Sequence, residues 1–358
     1  MKILHILEPS SIGGVERIVS DLYKNNSSNF EVFVAIPKKF KKSFMESFFL
    51  QDSVNLIELD YDNQRKFSFK RILFYRKVVR EIKPDIIHTH SRKACINVAL
   101  FLRNSIHFRT QHMQDRDSIG LFDKLILAKN VDHWISTSKI LKEYIQAQYG
   151  YVSINHIYNG VEIPNVKKTD VKIEGVTKIG FVGRLNKQKG LDLLIPILKR
   201  IEPLLINKYK FTVIGEGEEK IHLLELVNKL KLNDCVEFIG PKSDINSELI
   251  KFDFLLLPSR KEGLPLVMLE AMACGLPVVA NNVGAIYEVI QNKVNGFIIN
   301  SESDWLDLLP KLINGNIDLN KISVKATNLI SSEFSVKRMC DEYCNSYQRH
   351  KAVSETKQ

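Results

Sequence analysis

Cysteine is scarce in this chain of 358 residues: there are five, Cys95, Cys235, Cys274, Cys340 and Cys344, odd in number and scattered. That distribution offers neither a disulfide framework nor zinc-ligand pairs, and it implies reduced thiols in a cytoplasmic setting. Long apolar runs are also missing. Nothing approaches the roughly 18 apolar residues of a membrane span, and the opening MKILHILEPS has too brief an apolar core before Glu8 for a signal peptide. Any membrane association is therefore expected to be peripheral. No residue-level repeat, no low-complexity segment and no G-x-G-x-x-G fingerprint are present. Acidic residues are absent from one stretch, RKFSFKRILFYRKVVR at 65–80.

What is present is a surplus of positive charge, +10 overall. Residues 1–160 hold 24 Lys and Arg against 16 Asp and Glu, so +8 of it lies in the first half. Lys38, Lys39, Lys41 and Lys42 are followed by Phe44, Met45, Phe48 and Phe49. Basic residues interleaved with aromatics suit an anionic membrane surface, and equally a solvated helix face over a local core. No nucleic-acid recognition motif accompanies the charge, so no nucleic-acid partner is expected.

The length fits two domains. Short β-rich apolar runs alternate with helical patterns almost throughout, the signature of parallel sheets wrapped by helices. Strands are expected at 3–7, 31–36, 54–59, 85–89, 107–110, 133–136 and 153–157, and again from 178 and at 211–214, 235–239, 254–257, 278–280 and 297–299. The polar segment 164–176, with Pro164 and Gly175, reads as a linker between domains at 1–163 and 177–333, followed by a helical tail at 334–350.

The most informative stretch is SRKEGLPLVMLEAMACGLPVVA at 259–280. Pro265 suits a first helical position, and Gly275 followed by Pro277 supplies the stop. Glu262 then sits in a loop at the helix mouth and Glu270 inside an apolar helix, where a carboxylate needs a compensating partner such as a polyhydroxylated ligand or a nearby cation. Upstream, FVGRLNKQKG puts Arg184 and Lys189 after a strand and at the next helix start, the carboxyl edge where an open parallel sheet binds ligands. Two cations there would neutralise a diphosphate. In VIGEGEEK, Gly215 and Gly217 mark another strand end; Glu216 is near enough to reach a nucleotide, whereas Glu218 reads as a helix-dipole charge. Gly13 and Gly14 precede a helix and form either an anion-binding turn or a plain one. His88, His90 and His112 fall at strand ends, and His112 is the foremost candidate to hydrogen-bond a substrate hydroxyl. Asp115-Arg116-Asp117 is a D-x-D, a pattern that elsewhere binds metal. Here it precedes a glycine and a helix, so it reads as loop and capping chemistry, and no metal is expected.

These segments together resemble the retaining glycosyltransferases of group 1, or family 4. SSIGGVER, FVGRLNKQKG, IGEGEE and EGLPLVMLEAMACGLPVVA carry the resemblance, with the E-x7-E pattern at Glu262 and Glu270 the most specific. It implies a GT-B fold of two Rossmann-like domains facing a central cleft, with the last helix returning to the first domain. It implies a metal-independent hexosyltransferase taking a hexose or N-acetylhexosamine from a nucleotide sugar, a UDP-sugar foremost, to a glycan acceptor. The basic first domain suggests that this acceptor is lipid-linked, in surface polysaccharide or glycoconjugate synthesis on the inner face of the cell membrane. By the resemblance Glu262 holds sugar hydroxyls, Glu270 the ribose, and Arg184 and Lys189 the diphosphate. Backbone amides of Gly14, Gly263, Leu264 and Leu266 assist, and His112 faces the donor sugar. Relatives often have E-G-F-G-L where this chain has Glu262-Gly263-Leu264-Pro265-Leu266; Pro265 has no amide to give. The alternatives are a nucleotide-sugar epimerase of the same architecture, or a non-catalytic nucleotide-sugar-binding protein.

Overall fold

The structure is a computed structural model describing residues 1–9, 12–26, 30–48, 55–60, 69–101, 104–114, 120–168 and 175–356. The D-x-D at 115–117 and the basic residues at 65–66 lie outside the described residues. Two compact units emerge: residues 1–160 together with 336–358, and residues 161–335.

The first unit is built on seven parallel strands: β1 Lys2–Ile6, β2 Glu31–Pro37, β3 Leu56–Leu59, β4 Ile86–Thr89, β5 Ile106–Gln111, β6 His133–Ser136 and β7 Ile154–His156. Their order is β3-β2-β1-β4-β5-β6-β7. The second has six: β8 Thr177–Val182, β9 Tyr209–Ile214, β10 Val236–Gly240, β11 Phe254–Leu257, β12 Val278–Asn281 and β13 Phe297–Ile299, in the order β10-β9-β8-β11-β12-β13. All pairings within both sheets are parallel. Helices cover both faces of such sheets, so central strands such as FLLL of β11 are buried at every position. In each unit the strand order reverses beside the first strand, between β1 and β4 and between β8 and β11. Loops leaving the carboxyl ends of those pairs diverge and leave room for a ligand.

In the second unit the helix Leu191–Ile201 turns Leu191, Leu194, Ile195, Leu198 and Ile201 inward, spaced at three and four residues, and they meet Phe181, Phe211 and Phe254 of the sheet. The chain segment before β8 is less of a linker than its polarity suggests. Val161 pairs with Ser335, the Lys168 amide donates to the Cys274 carbonyl at 2.8 Å, and the Lys168 ammonium donates to Asp253 at 2.8 Å. These bonds make 161–168 part of the second unit. The last helix, Val336–Glu355, belongs to the first unit: Tyr343 and Tyr347 are buried in it and Lys351 pairs with Asp85 at 2.7 Å.

The lysine-rich helix Lys38–Phe48 is amphipathic over a local core. Phe44 is fully buried, Phe40, Met45 and Phe48 pack on the same cluster as Leu7 and Val34, and the four lysines are exposed. Its aromatics therefore serve packing; a different helix, Leu121–Asn130, exposes Leu121, Phe122 and Leu125 together.

Candidate active site

Three loops at the carboxyl edge of the second sheet are fused by close backbone approach. Gly190 ends the turn Lys187–Lys189 and caps the following helix at φ 72°, a left-handed conformation that suits glycine. A Cβ on Gly190 would lie 2.1 Å from the Pro258 carbonyl oxygen, so only glycine lets the loop after β8 touch the loop after β11. Gly217 plays the same part against Leu185, whose carbonyl oxygen would meet an added Cβ at 2.1 Å, and Gly215 approaches Gly183 as closely. Side chains complete the seam. The Gln188 amide donates to the Lys261 carbonyl at 2.9 Å, the Arg260 amide to the Gln188 carbonyl at 2.8 Å, and the Arg260 guanidinium grips Asp192 through two bonds of 2.6 and 2.8 Å.

This seam brings Lys189 from one loop to Glu262 on the other. The Lys189 ammonium donates to Glu262 Oε1 at 2.6 Å, and the Ser259 hydroxyl donates to the same oxygen at 2.6 Å. Glu262 is 8% exposed, and its Oε2 has no partner among the described residues. One oxygen is thus held by a cation and a hydroxyl, and the other remains able to accept from a ligand. Gly284, at φ 60° and packed against the Glu262 carbonyl, supports the loop from behind, as does the Ala285 amide donating to the Gly263 carbonyl at 3.0 Å. Arg184 stands exposed on the Lys189 loop.

The helix that follows runs Leu266–Ala273, so Pro265 is its N-cap rather than its first helical residue. The Pro265 carbonyl accepts the first helical bond, from the Met268 amide at 3.2 Å. A helix mouth leaves its first amides without intrahelical carbonyls, and with proline at the cap those belong to Leu266 and Val267. Glu270 lies half-buried in the helix, four residues before its C-cap Cys274. Gly275, at φ 77°, terminates it, with the Leu276 amide returning to the Ala271 carbonyl at 2.9 Å. Glu216 is exposed and its carboxylate pairs with Lys220 one turn on, at 2.5 Å.

In the first unit the helix Gly14–Lys24 starts at Gly13, whose amide donates to Glu16 at 2.9 Å. A buried carboxylate thus already occupies the N-cap side of that turn. His112 follows β5. Its Nε2 lies 3.2 Å from His90 Nδ1, and His90 Nε2 lies 3.0 Å from His5 Nδ1. Burial and then the Arg109 charge pull the His112 imidazole down to about 4, so it is neutral at physiological pH. His5, His88 and His90 place ring nitrogens within 4.8 Å of one another, close enough to consider a metal. Their donors are already engaged: His88 Nδ1 with the Tyr347 hydroxyl at 2.6 Å and Nε2 with the Thr110 hydroxyl at 2.8 Å, and His5 with His90. The set fits a hydrogen-bonded core better than an ion.

Sequence reasoning passed over Ser259 and His5. Ser259 sits three residues before Glu262, the spacing of a local side-chain turn, and was findable. His5 had no such signal, because its partners come from other strands.

Residues 12–163 match the Glycosyltransferase Family 4 domain and residues 163–328 the Glycosyl transferases group 1 domain. An uncharacterized glycosyltransferase of Methanocaldococcus jannaschii is 32% identical over 273 residues, covering 73% of this chain and 74% of that protein. The UDP-Gal:alpha-D-GlcNAc-diphosphoundecaprenol alpha-1,3-galactosyltransferase of Escherichia coli is 28% identical over 314 residues, 78% of this chain and 79% of that one. Among solved structures, HepE of Anabaena in complex with UDP-glucose superposes with a TM-score of 0.82 at 20% identity, over 98% of this chain and 100% of that one. The two parallel α/β units have the GT-B fold, and the chain belongs to the group 1 glycosyltransferases.

Proposed function

We propose that this glycosyltransferase moves a hexose or N-acetylhexosamine, with retention of configuration, from a UDP-sugar to a lipid-linked glycan acceptor in surface polysaccharide synthesis. The observation that carries the donor half is the junction at the second sheet's reversal point, where Lys189 and Ser259 hold one oxygen of Glu262 and leave the other open. In this reading Glu262 Oε2 accepts from hydroxyls of the transferred sugar. Within the second unit, Arg184 and Lys189 bind the diphosphate with the amides of Gly263, Leu264 and Leu266, and stabilise the charge that develops as it leaves. That charge compensation comes from side chains and a helix mouth, so the proposed reaction uses no metal. Glu270 accepts from the ribose, with Gly215 and Glu216 nearer the base, and Gly13 shapes the turn before Gly14.

No acid is placed as a covalent nucleophile in this scheme. The acceptor hydroxyl attacks from the face the diphosphate leaves, and a phosphate oxygen takes its proton. The acceptor's carrier and the sugar are the finer part of the proposal. Support for the carrier comes from the E. coli relative, named for a diphosphoundecaprenol acceptor, and from the exposed Leu121, Phe122 and Leu125 beside Lys124 and Lys129. Apolar side chains flanked by lysines suit the cytoplasmic face of an anionic membrane. No helix among the described residues is long and apolar enough to cross a membrane.

A thermal-shift screen of UDP-, GDP- and ADP-sugars tests the donor. The right one at about 100 times its Kd adds about 2.7 kcal/mol, several degrees for units of this size. Stabilisation by a GDP- or ADP-sugar alone would sink the uridine assignment, and donor conversion to an epimer without acceptor would sink the transferase reading.

A further inference from the structure

The loop that carries Glu262 is held from outside at each residue from Ser259 to Gly263. The Arg260 amide donates to the Gln188 carbonyl, the Lys261 carbonyl accepts from the Gln188 side chain, Glu262 pairs with Lys189, and the Gly263 carbonyl accepts from the Ala285 amide. Ser259, the first of the five, is fully buried and is held from β12. Asn281, last in that strand, donates from Nδ2 to the Ser259 carbonyl at 3.2 Å, and its Oδ1 accepts from the Trp305 indole N–H at 3.0 Å. Trp305 stands near the start of the helix Glu302–Ile313, buried in one core cluster with Phe297, Ile299 and Leu309. Bonds therefore run in series from the core to the site, through Trp305, Asn281, Ser259 and Glu262. All four residues belong to the second unit.

The direction of each bond follows from the chemistry of its ends. An indole nitrogen only donates and a backbone carbonyl only accepts, so Asn281 turns Oδ1 to Trp305 and Nδ2 to Ser259, and a flipped amide would lose both bonds. An ammonium likewise only donates, so Glu262 Oε1 is an acceptor toward Lys189, and the Ser259 hydroxyl donates to the same oxygen. A buried indole needs no more than an acceptor, which a carboxylate or a carbonyl would supply as well. What asparagine adds is the donor on its other side. That donor fixes the Ser259 carbonyl, and with it the backbone from which the hydroxyl reaches Glu262 at 2.6 Å.

We propose that Asn281, anchored by Trp305, is a positioning residue: by holding the Ser259 backbone it keeps the Ser259 hydroxyl on Glu262 Oε1, and so decides which carboxylate oxygen is left to meet the donor. This rests on the reading of Glu262 as the residue that accepts from the transferred sugar. In that reading Asn281 touches no reacting atom, and its effect passes through Ser259. The link ties a carboxylate on a loop to a tryptophan packed against the sheet, which restricts the acid before any ligand arrives. A group aimed in advance spends no free energy on reorganisation when the reaction occurs.

The test is steady-state release of UDP by the full chain from the UDP-sugar that the thermal-shift screen returns, with UDP affinity measured separately by calorimetric titration. Asn281→Asp keeps the acceptor for Trp305 and replaces the donor to Ser259 by a second acceptor. It should lower kcat about tenfold or more, the cost of a misaimed group beside reacting atoms, and leave UDP affinity unchanged, since no bond in the series touches the nucleotide. Asn281→Leu, which loses both bonds, and Trp305→Phe, which keeps the packing and loses the N–H, should act in the same direction and give second readings if the aspartate variant fails to fold. Ser259→Ala should lower kcat as well, and adding Asn281→Asp to it should cost less than about twofold more, because residues that act through one another are not additive. Wild-type kcat in Asn281→Asp overturns the proposal, since the amide would then serve the indole alone. So does a full multiplicative loss in the double variant, and so does an equal loss of UDP affinity, the mark of a collapsed loop. Wild-type kcat in Glu262→Gln is a separate failure: it overturns the reading of Glu262 as sugar-facing, and the positioning role with it.

Discussion

Lys189 and Glu262, 73 residues apart, meet at 2.6 Å across the loops that leave β8 and β11. The acid is nearly enclosed and the ammonium is largely so, with 6% and 19% of the side chains exposed. A pair so placed is expensive to break from one side, because the remaining charge loses its partner without regaining water.

Glu262→Gln and Lys189→Met should each lower turnover at least about 100-fold, the cost of losing one preorganised charge at a reacting centre. Because each residue's orientation depends on the other, the double variant should be little worse than either single one, giving a coupling of about 2–3 kcal/mol in kcat/KM. Steady-state kinetics of the four proteins measure it. Strict additivity would mean that the contact is incidental. Glu270→Ala should instead raise the donor KM with a smaller effect on kcat.

Gly190 and Gly150 separate strain from collision. Both have positive φ, 72° and 75°, but an added methyl at Gly150 meets nothing within 4 Å while at Gly190 it meets the Pro258 carbonyl at 2.1 Å. Gly150→Ala, at φ 75° and ψ −148° in a region that side chains rarely adopt, should cost about 1–3 kcal/mol of stability from backbone strain alone, with turnover intact. Gly190→Ala must also part the two loops, so it should cost more stability and reduce turnover at least about tenfold. Equal effects in denaturant titrations and in assays would refute the seam as the support of the pair.

Acid should destabilise the fold before carboxylates protonate. Burial lowers His5, His107 and His133 to about 3, and burial with Arg109 lowers His112 to about 4, whereas unfolded histidines titrate near 6.5. Below 6.5 the unfolded chain binds protons that the folded chain refuses. The stability these groups contribute is thus complete above about pH 6.5 and is lost as pH falls toward 4. Each costs up to about 1.4 kcal/mol per pH unit in that window. Urea titrations at pH 7.5, 6.0 and 5.0 should show the decline, and His133→Gln should flatten it. A constant unfolding free energy over that range would contradict the burial of these rings.

Membrane binding should depend on Leu121, Phe122 and Leu125 more than on the lysines at 38–42, whose helix keeps its aromatics inside. Replacing the three by serine should reduce sedimentation with phosphatidylglycerol vesicles by about tenfold or more, since each large apolar side chain entering the interface is worth on the order of 1 kcal/mol or more. Undiminished binding by that variant, with loss on neutralising Lys38, Lys39, Lys41 and Lys42, would return the contact to the basic helix.

All thirteen strands among the described residues were legible from the chain, because strands of a parallel sheet are short buried runs bounded by turn residues, and the pattern survives without knowledge of partners. That Lys189, Gly215, Gly217 and Glu262 fall in loops after buried strands was legible too, since the turn that ends such a strand is written in the local pattern. The edge of the helix at Pro265 and the status of 161–168 were not: the first turns on which carbonyl accepts the opening bond, the second on Lys168 finding Asp253 and Cys274 far along the sequence.

Local order therefore determined what this protein is made of: two doubly wound sheets, their sequence of elements, and acids and cations at strand ends. Tertiary structure alone decided which of these meet. Strand order, set by which hydrophobic faces bury best, brought Lys189 to one oxygen of Glu262 and aligned His5, His90 and His112 across three strands. Distances between residues 73 or 85 positions apart are fixed by packing, and no local pattern of residues encodes them.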